Sequence, residues 1–158
     1  MKVSHVLYKT NNLGDCVVKF RNMGFKVEFG SKNNPHNALI YFSEGPYIEL
    51  LEKAPVPFYI RLVLKILAKG KVADRFDYWK NVKEGFFGLC LENYKTDFNT
   101  EEKILIKNQQ KYFITKSRRI DNLNKVLKWK LLFPHELKLP FLMTYFNIDP
   151  KPENFVHP

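Results

Sequence analysis

The chain has 158 residues, 45% of them hydrophobic, which suffices for one well-buried domain and falls short of two ordinary ones. Its 26 basic residues outnumber 16 acidic ones to give a net charge of +10. They are spread along the chain without a nucleic-acid-binding motif, so a solvated basic face that also attracts small anions accounts for them better than a nucleic-acid partner. No apolar run approaches the ~20 residues that cross a bilayer, and the first residues alternate like a strand instead of a leader, which sets the expectation of a soluble, cytoplasmic protein without membrane contact.

Lys2 to Tyr8 puts Val3, His5 and Leu7 on one face and Ser4, Val6 and Tyr8 on the other, so a first strand carries His5 at its centre. Asn11 or Asn12 can cap a helix in which Leu13, Cys16, Val17 and Phe20 recur at helical spacing, with Gly24 as its stop. Phe25 to Phe29 resumes strand character and ends in a polar loop. Two apolar runs, Ala38 to Phe42 and Tyr47 to Leu51, then flank Ser43-Glu44-Gly45-Pro46, the pattern of a β-hairpin. Glu49 shares a face with Tyr47 and Leu51, while Ile48, Leu50 and Glu52 point the other way. A carboxylate held among Tyr and Leu is costly unless a cation, a metal or hydrogen-bond donors satisfy it, and this makes Glu49 the first functional candidate. The competing reading is an ordinary glutamate on an outer strand face.

Pro55 and Pro57 break the sheet pattern, and Phe58 to Ala68 is apolar except at Arg61 and Lys65, closing at Gly70. The spacing predicts a short helix buried on more than one side, capping a core or meeting a second copy in a homodimer. Lys71 to Val82, anchored by Phe76, Tyr78 and Trp79, reads as an irregular or helical connector. The pattern then restarts. Gly85 to Leu91 is a strand, Thr96 to Gln110 a helix with Phe98, Ile104 and Leu105 inward, and Tyr112 to Ile120 an extended run. Asp121 and Asn122 turn the chain into a strand over Val126 to Phe133, and Leu139 to Asn147 closes the series. Residues 1–52 and 85–147 thus read as two βαβββ modules, separated by a helical insert at 53–84 and followed by a tail at 148–158. Matching Val3-Ser4-His5-Val6 to Phe86-Phe87-Gly88-Leu89, and Pro46-Tyr47-Ile48-Glu49 to Pro140-Phe141-Leu142-Met143, sets Gly88 opposite His5 and Met143 opposite Glu49.

Cys16 and Cys90 lack metal-ligand or redox spacing and read as reduced core residues. Arg118 and Arg119 are adjacent on an extended run, so one points inward, where it can hold a carboxylate or phosphate bidentately or pair with an acid such as Glu49. Trp129 shares a face with Leu127 and Leu131, as core or as an aromatic wall. Tyr47 lies on the Glu49 side, Tyr145 on the Met143 side, and His36 sits either at a pocket mouth or in an exposed turn. Glycine-rich phosphate loops, Cys-x-x-Cys, His-Glu-x-x-His and Gly-x-Ser-x-Gly do not occur.

The order of these features resembles the vicinal oxygen chelate superfamily, and within it the glyoxalase-like domain proteins related to glyoxalases and bleomycin-resistance proteins. The resemblance is carried by the first strand with His5, Met23-Gly24-Phe25-Lys26-Val27, and His36-Asn37-Ala38-Leu39-Ile40-Tyr41-Phe42 leading to Tyr47-Ile48-Glu49-Leu50-Leu51. Glu84-Gly85-Phe86, Arg118-Arg119, Trp129, Leu139-Pro140-Phe141 and His157-Pro158 extend it over essentially the whole chain. It implies an α+β fold in which the two modules form a cupped mixed β-sheet with the ligand on its concave face. Many members hold one divalent metal, such as Zn, Mn, Fe, Ni or Mg, with side chains from the first and last strands of each module. His5 and Glu49 match two such positions, whereas Gly88 and Met143 cannot coordinate a hard cation; His157, folding back, is the candidate third ligand, and a metal-free site is the other expectation.

The expected function is that of a glyoxalase-like small-molecule-binding protein, as an enzyme of lyase, isomerase or dioxygenase type acting on a small anionic substrate. Glu49 would be its base or metal ligand and His5 its partner, with Tyr47, Arg118, Arg119, Trp129, Tyr145 and His36 around the substrate. The rival reading is a non-catalytic protein that sequesters an aromatic or antibiotic-like ligand. A basic nucleic-acid-associated protein carries the least weight.

Overall fold

The computed structural model describes residues 1–53, 70–121, 124–151 and 156–157. The elements are β1 (Lys2–Lys9), α1 (Leu13–Asn22), β2 (Glu28–Phe29), β3 (Asn37–Phe42), β4 (Tyr47–Leu51), α2 (Gly70–Asn81), β5 (Gly85–Asn93), α3 (Asn99–Lys107), β6 (Tyr112–Ile120), β7 (Val126–Pro134), β8 (Phe141–Thr144) and β9 (Val156–His157). Local chemistry sets several of their ends. The Asn12 side chain accepts from the Asp15 amide at 3.1 Å to start α1, and Gly24 at φ +94° stops it. Gly45 at φ +82° supplies the hairpin turn between β3 and β4.

The strands form one curled mixed sheet in the order β2-β3-β4-β1-β5-β8-β7-β6, with β9 added to β3. The order is a mirror image about its centre. β1 runs parallel to β4, β5 runs parallel to β8, and β1 and β5 join the halves antiparallel. Parallel neighbours require a long crossover, and α1 and α3 lie within these crossovers. The α+β fold of two βαβββ modules expected from the sequence is therefore present.

The register corrects one of the two sequence matches. Tyr47 faces His5 and Glu49 faces Leu7 in the first module, while Phe141 faces Cys90 and Met143 faces Glu92 in the second. Met143 is thus the counterpart of Glu49, but the counterpart of His5 is Cys90, which also faces His5 across β1 and β5. Gly88 instead faces Leu7, and a methyl group there would stand 3.0 Å from the Leu7 side chain. The pairings of β1 with β4 and of β5 with β8 thus set the two modules two residues further apart than the sequence match placed them. Separately, β1 and β5 slip against each other at Ser4 and Phe87, which are left without partners in that pairing.

On the convex side α1 buries Leu13, Cys16, Val17 and Phe20 against Ala38, Ile40 and Leu50, and Phe98, at the start of α3, packs with Leu132 and Leu142. Leu105 joins that second cluster, but Ile104 is exposed, because only one of two successive helical positions can face the sheet. On the concave side Leu7, Leu51, Cys90, Phe133, Phe141 and Met143 pack with Phe76 and Trp79 of α2, so a helix of the insert fills part of the bowl. Arg75 fastens it from a buried position by donating to the carbonyls of Pro134 and Glu136 at 2.8 Å and of Leu139 at 3.3 Å.

Other expectations shift at their edges. Lys71 to Val82 is helical over Gly70–Asn81, the run from Phe25 pairs only at Glu28–Phe29, and the run from Leu139 pairs only over Phe141–Thr144. The helix expected over Phe58 to Ala68 lies outside the described residues. Within the tail, Val156 and His157 form a strand parallel to Tyr41 and Phe42. Among the described residues no helix is long and apolar enough to cross a membrane.

Candidate functional site

Glu49 lies mid-strand on β4, between β3 and β1, and points into the bowl. Diagonal neighbours on an antiparallel or parallel pair are within reach of longer side chains, and two of them meet its carboxylate. Asn37 of β3 donates its Nδ2 to Oε1 at 2.8 Å, and Nε2 of His5 on β1 stands 3.4 Å from Oε2. The carboxylate side chain keeps 19% of its surface exposed while the imidazole keeps 5%. Glu49 is therefore held on both oxygens and still open on one side.

His5 is stacked on Tyr47 with ring centroids 4.6 Å apart and meets the edge of Phe141 at 5.6 Å. Burial pushes its pKa below the ordinary value, and the Glu49 carboxylate opposes that shift without cancelling it. The neutral ring carries one proton. Nε2 faces the carboxylate, and Nδ1 lies in hydrogen-bond contact with the Ser4 hydroxyl at 3.1 Å. Ser4 reaches the bowl because it is the unpartnered residue of the β1 bulge, and its oxygen also touches the Met143 sulfur at 3.3 Å. Hydroxyl, imidazole and carboxylate thus stand in line. Ser4 is only 3% exposed and capped by Met143, so it orients the ring and has no room to attack an acyl group.

The far edge of the sheet closes over this pair. The positive charge of Arg119 on β6 lies near enough to Tyr41 on β3 to oppose the rise in its pKa, and Tyr41 in turn lies 5.2 Å from the Tyr47 ring. Burial raises the pKa of both phenols, and the charge of Glu49 adds to that rise, so both remain proton donors. Among the described residues Nε of Arg119 is buried without a hydrogen-bond partner. Cys90 is fully buried, and burial raises its thiol pKa well above the usual range, which leaves it protonated and unreactive.

The structure thus gathers His5, Glu49, Tyr47 and Arg119, and adds Ser4, Asn37 and Tyr41, which sequence reasoning missed. Asn37, which opens the strand directly after His36, carried a usable signal, since a polar residue beside an inward Glu49 can satisfy it; the Ser4 bulge left none. The other candidates lie elsewhere. Arg118 alternates away from Arg119 and is exposed, and Trp129 packs on Phe146 at 5.0 Å. Tyr145, beyond the end of β8, meets Tyr94 at 6.0 Å. His36 precedes β3, where its carbonyl accepts from the Glu52 amide at 3.0 Å. His157 packs on Phe25 at 4.9 Å and on Phe42 at 5.8 Å, among the residues beneath α1. It is on the opposite side of the sheet from Glu49 and does not supply the third metal ligand.

A divalent ion at this pair would need further hard donors. The second module offers a protonated Cys90 and the thioether of Met143 at the counterpart positions, and the Glu92 carboxylate is engaged with Lys2 at 3.1 Å. Among the described residues no three of His, Cys, Asp and Glu converge on one point. This donor set does not fit a tightly held divalent metal.

A curled sheet of two edge-joined βαβββ modules with a carboxylate and an imidazole in its hollow is the arrangement expected of a glyoxalase-like domain. The glyoxalase-like domain family matches residues 3–158, and the chain belongs to it. No curated protein sequence matches. Two mutants of glyoxalase I from Zea mays share 13% identity, with TM-scores of 0.48 and 0.46, each over 94% of this chain. A further glyoxalase I structure from Zea mays, at 11% identity, gives a TM-score of 0.30. The chain spans less than half of the first two, 44% and 45% of their lengths.

Proposed function

We propose that the bowl binds a small organic anion and that Glu49, steadied by Asn37 and His5, moves a proton at it. The observation that carries this reading is a carboxylate held on both oxygens yet open to the hollow, together with a buried guanidinium nitrogen of Arg119 that has no partner among the described residues. An incoming carboxylate or enolate oxygen would find Arg119 and the protonated hydroxyls of Tyr41 and Tyr47 as donors, with Glu49 as base on the adjacent carbon. His5 would stabilise the carboxylate in one state and the transferred proton in the other. An isomerisation of this kind, in which Glu49 takes a proton from one carbon and returns it to the neighbouring atom, needs only proton transfer from the chain itself.

The second reading, sequestration without turnover, draws on Cys90 and Met143, which leave the second module with no polar group at the counterpart positions. One experiment separates them. Small 2-oxo and 2-hydroxy carboxylates are screened by thermal shift and then incubated with the protein in D2O, where NMR follows exchange of the hydrogen next to the carbonyl carbon. Proton transfer predicts exchange that falls by about a hundredfold or more in Glu49→Gln, the usual worth of a positioned base. Saturable stabilisation without exchange supports sequestration, and the absence of both overturns the proposal.

A further inference from the structure

Three of the displaced candidates, Arg118, Trp129 and Tyr145, line a cavity of about 420 Å³ at the open end of the second module. It shares no residue with the His5 and Glu49 group. Its size falls in the range of small-molecule pockets, about 300–1,000 Å³. The lining contributes five basic residues, Lys95, Lys116, Arg118, Lys128 and Lys130, and no carboxylate. Tyr94 and Tyr145 add aromatic rings, while Trp129 and Phe146, which also border it, pack their rings on the concave cluster. Cations and rings around one hollow, with no acid among them, call for a ligand that is anionic at one end and aromatic at the other.

The register makes the positive charge costly in the absence of such a ligand. Lys116 stands directly opposite Lys130, and Arg118 directly opposite Lys128, across β6 and β7. Alternation places all four on one face of this ribbon, and like charges facing each other across a strand pair destabilise it. Among the described residues none of the four has an acidic partner within ion-pair distance. A strand pair that needed only solubility would intersperse glutamates here. The Tyr94 ring carries Lys2 at 4.7 Å from its centre, a lysine already paired with Glu92 at 3.1 Å.

We infer that this cavity is a second binding site, for a phosphorylated aromatic ligand of mononucleotide size, with the phosphate on the Lys116, Arg118, Lys128 and Lys130 array and the ring against the tyrosines. Arginine and lysines offset a phosphate dianion, while tyrosine faces stack on a planar ring with little regard to its identity. This inference stands whether or not the bowl transfers protons.

The test uses AMP, ADP, inorganic phosphate and a single-stranded oligonucleotide as probes, by calorimetry and thermal shift on the full chain. Expected are saturable binding of AMP and ADP, tighter than that of inorganic phosphate, and weakening as salt rises. Lys128→Glu places a carboxylate opposite Arg118 and relieves the repulsion, so the free protein should melt no lower than wild type while its nucleotide Kd rises about tenfold or more. Lys116→Glu should behave alike, and Glu49→Gln should leave nucleotide binding unchanged. Nucleotide binding that survives both charge reversals, phosphate binding as tightly as AMP, or binding of the oligonucleotide alone overturns the assignment.

Discussion

Gly30 controls the orientation of Glu49 without touching it. A methyl group built on Gly30 would overlap the Asn37 carboxamide, the group that donates to Glu49 at 2.8 Å, while Gly30 itself has no unusual backbone conformation. Gly30→Ala therefore has one principal consequence, the expulsion of Asn37 from its place. A hydrogen bond to a charged group contributes about 1.5–3 kcal/mol when buried, and the partial exposure of Glu49 argues for the lower end, so Asn37→Ala should cost about 1.5 kcal/mol. Gly30→Ala loses the same bond and adds overpacking of about 1–3 kcal/mol, giving roughly 3 kcal/mol, or about 6–12 °C in Tm for a chain of this length. In the Asn37→Ala background the obstacle is gone and Gly30→Ala should cost less than about 1 kcal/mol, a coupling of about 2 kcal/mol between contacting residues. Urea unfolding of the four proteins, followed by fluorescence of Trp79 and Trp129 and by circular dichroism, measures all terms. Additive single and double values, or a Gly30→Ala protein as stable as wild type, would refute the claim that Asn37 is the intermediary.

Acid should weaken the fold through His5. Its folded-state pKa lies below the ordinary value of 6.5, so the unfolded chain binds a proton that the native state refuses, and stability falls as pH drops from about 6.5 towards the depressed value. The slope is at most about 1.4 kcal/mol per pH unit for a single group, and His5→Gln should flatten it; an unchanged Tm profile in that variant would contradict the assignment. Arg75→Ala leaves three carbonyls around α2 without their cationic donor and should cost about 3 kcal/mol or more in urea unfolding, with Arg75→Lys recovering only part. A loss below about 1 kcal/mol would mean that α2 is held in the bowl by Phe76 and Trp79 alone.

Much of this architecture could be read from the chain because it depends on near neighbours. Hydrophobic spacing fixed α1 with its inward Leu13, Cys16, Val17 and Phe20, and Asn12 and Gly24 marked its ends. Two apolar runs around Gly45 fixed the β3 and β4 hairpin, and a period of two placed Glu49 with Tyr47 and Leu51, away from Ile48 and Leu50. The repetition of the pattern after Gly85 announced two modules.

The site itself was decided by contacts between residues far apart in sequence. The pairing of β1 with β4 and of β5 with β8 made Cys90 and not Gly88 the counterpart of His5, and the bulge at the unpartnered Ser4 turned its hydroxyl towards the His5 ring. Curling of the sheet brought Arg119 of β6 to Tyr41 of β3, and the same alternation sent Arg118 to the other side. The path of the tail set His157 beside Phe25 and Phe42, beneath α1 and away from Glu49. Local spacing determines which face a side chain takes within its own strand. Which other face it meets depends on bulges, curvature and chain closure, and these are settled only when the strands pack together.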